Sequence, residues 1–206
     1  MRARAIYSAI EADARVRWWL RETPSFDPLA AVGPFTTLVA FLPSAFATRL
    51  TEVLGTLDGV AAHYRYAPAQ LHLTIRNLDG VDLSTLAAPL ADCRPLVLRG
   101  GRLGFTRETL LQRLSADVAL RRLREGLDLL PGARAPSGAL RDLAFTNVLR
   151  LNGPVRAELL HSVRRHRDAL AGEPLELEEL ALVRTDKVGS PGRTRILARY
   201  PLRPAR

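Results

Sequence analysis

Two residues in Leu71-His72-Leu73-Thr74-Ile75 carry the chemistry most readily read from this chain. Apolar and polar side chains alternate strictly there, the pattern of a half-buried strand. Leu71, Leu73 and Ile75 point to the core, and His72 and Thr74 share the opposite face. An imidazole that titrates near neutrality beside a hydroxyl can move a proton and hold a phosphoryl oxygen. Arg76 has the same parity and offers a planar fork that suits a phosphate. Acid–base work on both sides of a phosphodiester needs a second set of such groups. The nearest candidate segment is Ala144-Phe145-Thr146-Asn147-Val148-Leu149-Arg150. Asn147 can donate an amide N–H to an anion, but Phe145 can transfer no proton. Arg150 has the opposite parity from Phe145 and Asn147, which leaves it as a phosphate ligand or as half of a structural ion pair. Lys187, the only lysine, lies with Arg193 around a Gly-containing turn. A basic turn of this kind holds an anion or is simply solvated.

The elements that must position these residues follow from pattern and punctuation. Residues 5–21 read as an amphipathic helix, followed by a linker punctuated by Pro24, Pro28 and Gly33-Pro34. Strands are expected at 36–42, 60–66, 71–78, 96–98, 103–114, 143–151, 175–184 and 193–200. Gly100-Gly101 serves as a turn between two of them. Helices are expected at 45–57, 83–91, 116–129 and 155–171. The order falls into two halves, each a strand-rich unit carrying helices. It predicts an α+β, bilobal fold with two mainly antiparallel sheets flanking a central cleft and helices on the outer faces. Residues 1–33 form an N-terminal extension and linker, and residues 34–206 a single domain of two lobes.

Composition narrows the function classes. The chain has 206 residues, 47% of them hydrophobic, enough for a substantial core. Its single cysteine, Cys93, excludes a disulfide within one chain and fits a reducing cytoplasm. One cysteine and four scattered histidines make a poor zinc site. No segment approaches the roughly 20 apolar residues of a membrane helix. The net charge is +9, of which +8 falls in residues 101–206. Such a basic half suits a polyanion, although a chain with 29 arginines also fits GC-rich coding.

The stretch from Phe35 through Leu78, with Leu71-His72-Leu73-Thr74-Ile75 at its end, resembles the two-histidine (2H) phosphoesterase superfamily, which includes RNA 2′,5′-ligase-like proteins and cyclic phosphodiesterases. Leu98-Arg99-Gly100-Gly101 running into Thr109-Leu110-Leu111-Gln112 resembles the family's Gly-containing strand pair. Leu180 to Asp186, followed by Gly192 and Arg199-Tyr200, resembles its closing hairpin. The resemblance spans residues 35–202. It implies that His72 and Thr74 are catalytic, and that a second His-x-Thr/Ser should occupy the strand where Phe145 and Asn147 stand. His161 and His166 fall on the following helix, which should cover the outer face, and His63 on the preceding strand.

Three readings follow. The first is a divergent member that binds RNA ends or phosphate-bearing nucleotides, with weak or lost phosphodiesterase activity. The second is an active 2′,3′-cyclic or 2′,5′-phosphodiesterase or ligase-like enzyme using His72. The third is a protein-interaction module with a vestigial cleft. The phosphate-binding candidates are Arg76, Asn147, Arg150, Lys187 and Arg193. The expected partner is RNA or a nucleotide with a cyclic or 2′,5′-linked phosphate, bound by a monomer that needs no metal or organic cofactor.

Overall fold

The computed structural model describes residues 2–20, 22–24, 34–57, 63–91, 93–115, 117–133, 142–186, 189 and 192–202. Helix α1 (Arg2–Trp19) comes first. Strand β1 (Phe35–Phe41) leads into α2 (Ser44–Gly55), then β2 (His63–Arg65) and β3 (His72–Asn77). The short α3 (Ala87–Leu90) precedes the hairpin of β4 (Leu96–Phe105) and β5 (Thr109–Leu114). Helix α4 (Val118–Asp128), β6 (Ala144–Leu151), α5 (Ala157–Arg165), β7 (Pro174–Leu177), β8 (Glu179–Thr185) and β9 (Arg195–Pro201) complete the chain.

Two antiparallel sheets result, ordered β3-β1-β8-β9 and β2-β6-β5-β4-β7. The α+β, two-sheet architecture expected from the sequence is the one observed. Leu38, Leu73, Leu180 and Leu182 of the first sheet join Leu110, Ala144, Leu149 and Leu151 of the second in one buried core. The helices enter it through apolar stripes: Phe46, Leu50 and Leu54 of α2, Leu120, Leu123 and Leu127 of α4, and Leu159 and Val163 of α5.

Three expected strand boundaries differ. Residues 103–114 are not one strand but the end of β4 and the whole of β5, with the turn at 106–108 between them. Gly100-Gly101 is not a turn but lies inside β4, where that strand changes partners from β7 (Leu96–Arg99) to β5 (from Gly100). The close approach of another backbone requires the glycine: a Cβ on Gly100 would lie 2.1 Å from the Leu170 carbonyl oxygen. The expected strand at 175–184 is divided between β7 and β8, which belong to different sheets, so the chain changes lobes near Glu178.

Both motif strands carry a β-bulge. On β3, Thr74 pairs with Val39 and Arg76 with Leu38, leaving Ile75 as the extra residue. On β6, Asn147 pairs with Leu111 and Leu149 with Leu110, leaving Val148 as the extra residue. Each bulge falls three positions after its motif's first residue, His72 or Phe145.

Arg124 of α4 is 7% exposed and binds the first bulge directly. Its Nε donates to the Ile75 carbonyl (3.2 Å) and its Nη2 to the Thr74 carbonyl (2.9 Å). Its Nη1 donates to the carbonyl of Leu143, just before β6 (2.7 Å). One guanidinium thus ties the two lobes beside the motif strands. Burial lowers its pKa, because desolvation disfavours the charged form. Replacing it strands three carbonyls. Arg124→Met is expected to reduce stability by about 3 kcal/mol, and Arg124→Lys to restore only part, since an ammonium lacks the planar fork. Urea unfolding of the three proteins checks this.

Candidate functional site

His72 opens β3 immediately after the 3-10 turn Pro68–Gln70. Its Nδ1–H donates to the Gln70 carbonyl at 2.7 Å, which directs Nε2 away from the backbone as the ring's working nitrogen. Phe41, opposite it on β1, meets the ring edge-on at 6.2 Å between centroids. The imidazole is half-buried, and loss of water around it lowers its pKa below 6.5, with the Gln70 bond opposing that shift.

Gln70 organises the surroundings. Its Nε2 donates to Tyr64 Oη (2.7 Å) and to the Gly189 carbonyl (3.0 Å), and its Oε1 accepts from Ala67 N–H (2.8 Å). Gly189 has φ +65°, a left-handed conformation suited to glycine. Gly189 itself sits near the histidine: a Cβ there would lie 3.9 Å from His72 Cε1. Thr185, at the end of β8, and Thr194, just before β9, bond through their hydroxyls at 2.6 Å.

The bulges decide which polar residues share a face. His72 and Thr74 lie together, opposite Phe41 and Val39, and Thr74 is exposed. Arg76 does not join them, contrary to its parity in the sequence. The extra residue Ile75 rotates Arg76 to the core side beside Leu38, where it is 7% exposed and pairs with Asp128 of α4 at 2.9 Å. Asn77 takes the place on the His72 face. The Val148 bulge has the converse effect and brings Arg150 to the face of Phe145 and Asn147, because Thr109 and Leu111, their partners on β5, are two residues apart. Arg150 donates to Tyr66 Oη (3.2 Å) and Thr109 Oγ1 (3.1 Å). Tyr66 packs edge-on against Tyr64 at 5.2 Å, which connects Arg150 through the tyrosines to Gln70. Arg193 is exposed in the turn before β9, and Lys187 lies outside the described residues.

Helix α1 covers the opposite half of the site. Phe145 packs with Tyr7, Leu111 and Leu143, and with Ala3, Ile6 and Ile10 of the helix. Tyr7 Oη donates to the Ala144 carbonyl at 2.8 Å, and burial raises the phenol pKa. Trp18 Nε1 donates to the Arg107 carbonyl at 3.0 Å, and its ring lies 5.0 Å from Phe105. Between α1 and the β4–β5 turn an open pocket of about 430 Å³ reaches from Ile10 and Asp13 to Arg150. Among the described residues no group of His, Cys, Asp and Glu is arranged to hold a metal, and no helix is long and apolar enough to cross a membrane.

Sequence reasoning missed Gln70 and Arg124. The signal for Arg124 was present: it lies on the apolar stripe Leu120, Leu123, Leu127 of its helix, where a charged residue needs a buried partner. Gln70 had no comparable signal, because its role depends on three chain segments meeting.

No family model matches the sequence, and no curated protein matches it. Solved structures do. TT0787 of Thermus thermophilus is similar over 84% of this chain and 100% of its own, with 21% identity and a TM-score of 0.60. A structure described as a phosphoesterase is similar over 82% and 99%, with 17% identity and a TM-score of 0.52. E. coli LigT complexed with 3′-AMP is similar over 82% and 98%, with 18% identity and a TM-score of 0.51. The chain therefore shares the fold of these structures, in agreement with the α+β, two-sheet fold that the motif order implied.

Two outcomes are expected from this geometry. Phe145→His places a polar ring in the apolar cluster under α1 and should lower stability by about 1–3 kcal/mol, measured by thermal unfolding. The second concerns His72, whose folded pKa lies below its unfolded value of 6.5. Between those two values the unfolded chain binds more protons. Stability should therefore fall as pH drops below about 6.5, until the folded pKa is passed. This component should be missing from the pH profile of His72→Ala.

Proposed function

We propose that this chain is a divergent 2H-phosphoesterase-like protein that binds phosphate-bearing nucleotides or RNA ends through the His72 half of its cleft, with weak or lost phosphodiesterase activity. One observation carries the reading. The position facing His72's motif in the resemblance holds Phe145, a half-buried ring packed against Tyr7, Leu111 and Leu143 that has no proton to transfer. His72 Nε2 and the exposed Thr74 hydroxyl can receive a phosphoryl group. Arg150 and Asn147 lie on the facing sheet, and Arg193 and Lys187, which flank Gly189 in the sequence, supply further positive charge. E. coli LigT has been crystallised with 3′-AMP and with ATP, which supports a nucleotide as the ligand here. In this reading residues 34–206 form the two-lobed binding domain, and residues 1–33 an extension of which α1 covers one wall. The lone cysteine suits a reducing cytoplasmic setting.

Loss of one proton-transfer partner typically costs on the order of 10²–10⁴ in rate. A second reading is slow hydrolysis with His72 as sole base, since its lowered pKa leaves the ring neutral, and so free to accept a proton, near pH 7.

The test is binding of a short RNA ending in a 2′,3′-cyclic phosphate, followed by fluorescence anisotropy at about 50 and about 200 mM salt. Affinity should fall with salt, and His72→Ala and Thr74→Ala should each weaken it by about tenfold, equivalent to one charge-assisted hydrogen bond. A flat salt response with unchanged affinity in both variants overturns the binding assignment. Rapid cyclic-phosphate turnover that requires His72 would favour the enzyme reading instead.

A further inference from the structure

Helix α1 brings a carboxylate as well as apolar side chains to the second sheet. Glu11 is 8% exposed. Its Oε1 pairs with Arg113 Nη2, and its Oε2 lies 3.5 Å from Arg167 Nη2. The floor beneath this carboxylate is Gly104. A Cβ there would lie 2.7 Å from Glu11 Oε1 and 2.9 Å from Arg113 Nε, so any larger residue would fill the space the carboxylate takes. The Tyr7 ring holds the Arg113 guanidinium at 4.4 Å, a cation–π contact. Arg113 and Arg167 are 11% and 32% exposed, and the Nε of each is buried without a hydrogen-bond partner among the described residues.

Two guanidinium groups thus face one carboxylate, with donor capacity left over. A phosphate monoester carries nearly two negative charges at neutral pH and three acceptor oxygens, and it matches this pair better than a single carboxylate does. The cradle is built from β4, β5 and the segment after α5, whereas the anion that fills it arrives on α1. Arg113 pairs with Phe145 across the strands, so the cradle opens on the same face of the sheet as Asn147 and Arg150.

We propose that Arg113, Arg167 and Gly104 form a phosphate-binding site that Glu11 occupies in cis, so that docked α1 and a phosphate-bearing ligand compete for it. The site does not depend on His72, and its test should read the same in a His72→Ala background.

The chain reports on α1 by itself, because both of its tryptophans, Trp18 and Trp19, lie at the end of that helix. The full-length protein is titrated with inorganic phosphate and, separately, with AMP, at ionic strength held constant with chloride. Phosphate should shift the tryptophan emission to the red as Trp18 leaves Phe105, and chloride should not. Glu11→Ala removes the competing charge and opens the space it filled. It should bind phosphate at least about tenfold more tightly than the parent, and adding Arg113→Gln should abolish the gain. Tighter binding of AMP than of phosphate assigns a nucleotide, and equal binding assigns the phosphate group alone. A folded Glu11→Ala protein with no gain, together with unchanged tryptophan emission in the parent at saturating phosphate, overturns the proposal. If Glu11→Ala does not fold, the parent titration decides alone, a phosphate-specific shift supporting the site and its absence overturning it.

Discussion

The three hydrogen bonds of Arg124 are the constraint on which the arrangement of the site depends. A bulged strand presents carbonyl groups that its neighbour in the ladder does not take. Left buried, each such group would be costly. Arg124 satisfies those of Thr74 and Ile75 and with the same guanidinium binds Leu143 ahead of β6. The bulge, the position of α4 and the separation of the two sheets are therefore parts of one solution. Arg76 and Asp128 reinforce it from the core side of the same strand. A cation that looks in the sequence like one more member of a basic half is in fact an internal bracket.

Much of the fold was legible because it rests on local rules. Alternation located β3, a buried-strand run ended by Pro43 located β1, the Asn152-Gly153-Pro154 stop bounded β6, and leucine spacing located α4 and α5. The site was legible only up to the first bulge. His72 and Thr74 precede Ile75, so counting in twos placed them correctly. Arg76 follows it, so the same counting put it on the wrong face, and Arg150 was misplaced by Val148 in the same way. A bulge is set by pairing with a partner strand and by what the freed carbonyl can bond, neither of which the strand's own sequence records. The Gly100-Gly101 pair misled for a related reason. Glycine marks either a turn or a close backbone contact, and only the neighbouring segment distinguishes them.

The position of Phe145 also gains a physical account. Its half-buried ring packs against an apolar cluster of Tyr7, Leu111 and Leu143, to which Ala3, Ile6 and Ile10 of α1 also belong. Phe145 therefore helps to anchor α1. The same helix pairs with Arg113 of β5 and Arg167 of the segment after α5 through Glu11. Apolar packing and charge pairing thus converge on a single helix across one wall of the cleft, leaving the His72 wall with its own architecture.

That architecture converges on one side chain. Gln70 bonds at once to β2 through Tyr64, to the Gly189 carbonyl beyond β8, and by its backbone carbonyl to the histidine ring. A residue with no acid–base chemistry of its own thus sets the direction in which the imidazole points, and removing its amide would loosen the histidine without touching it.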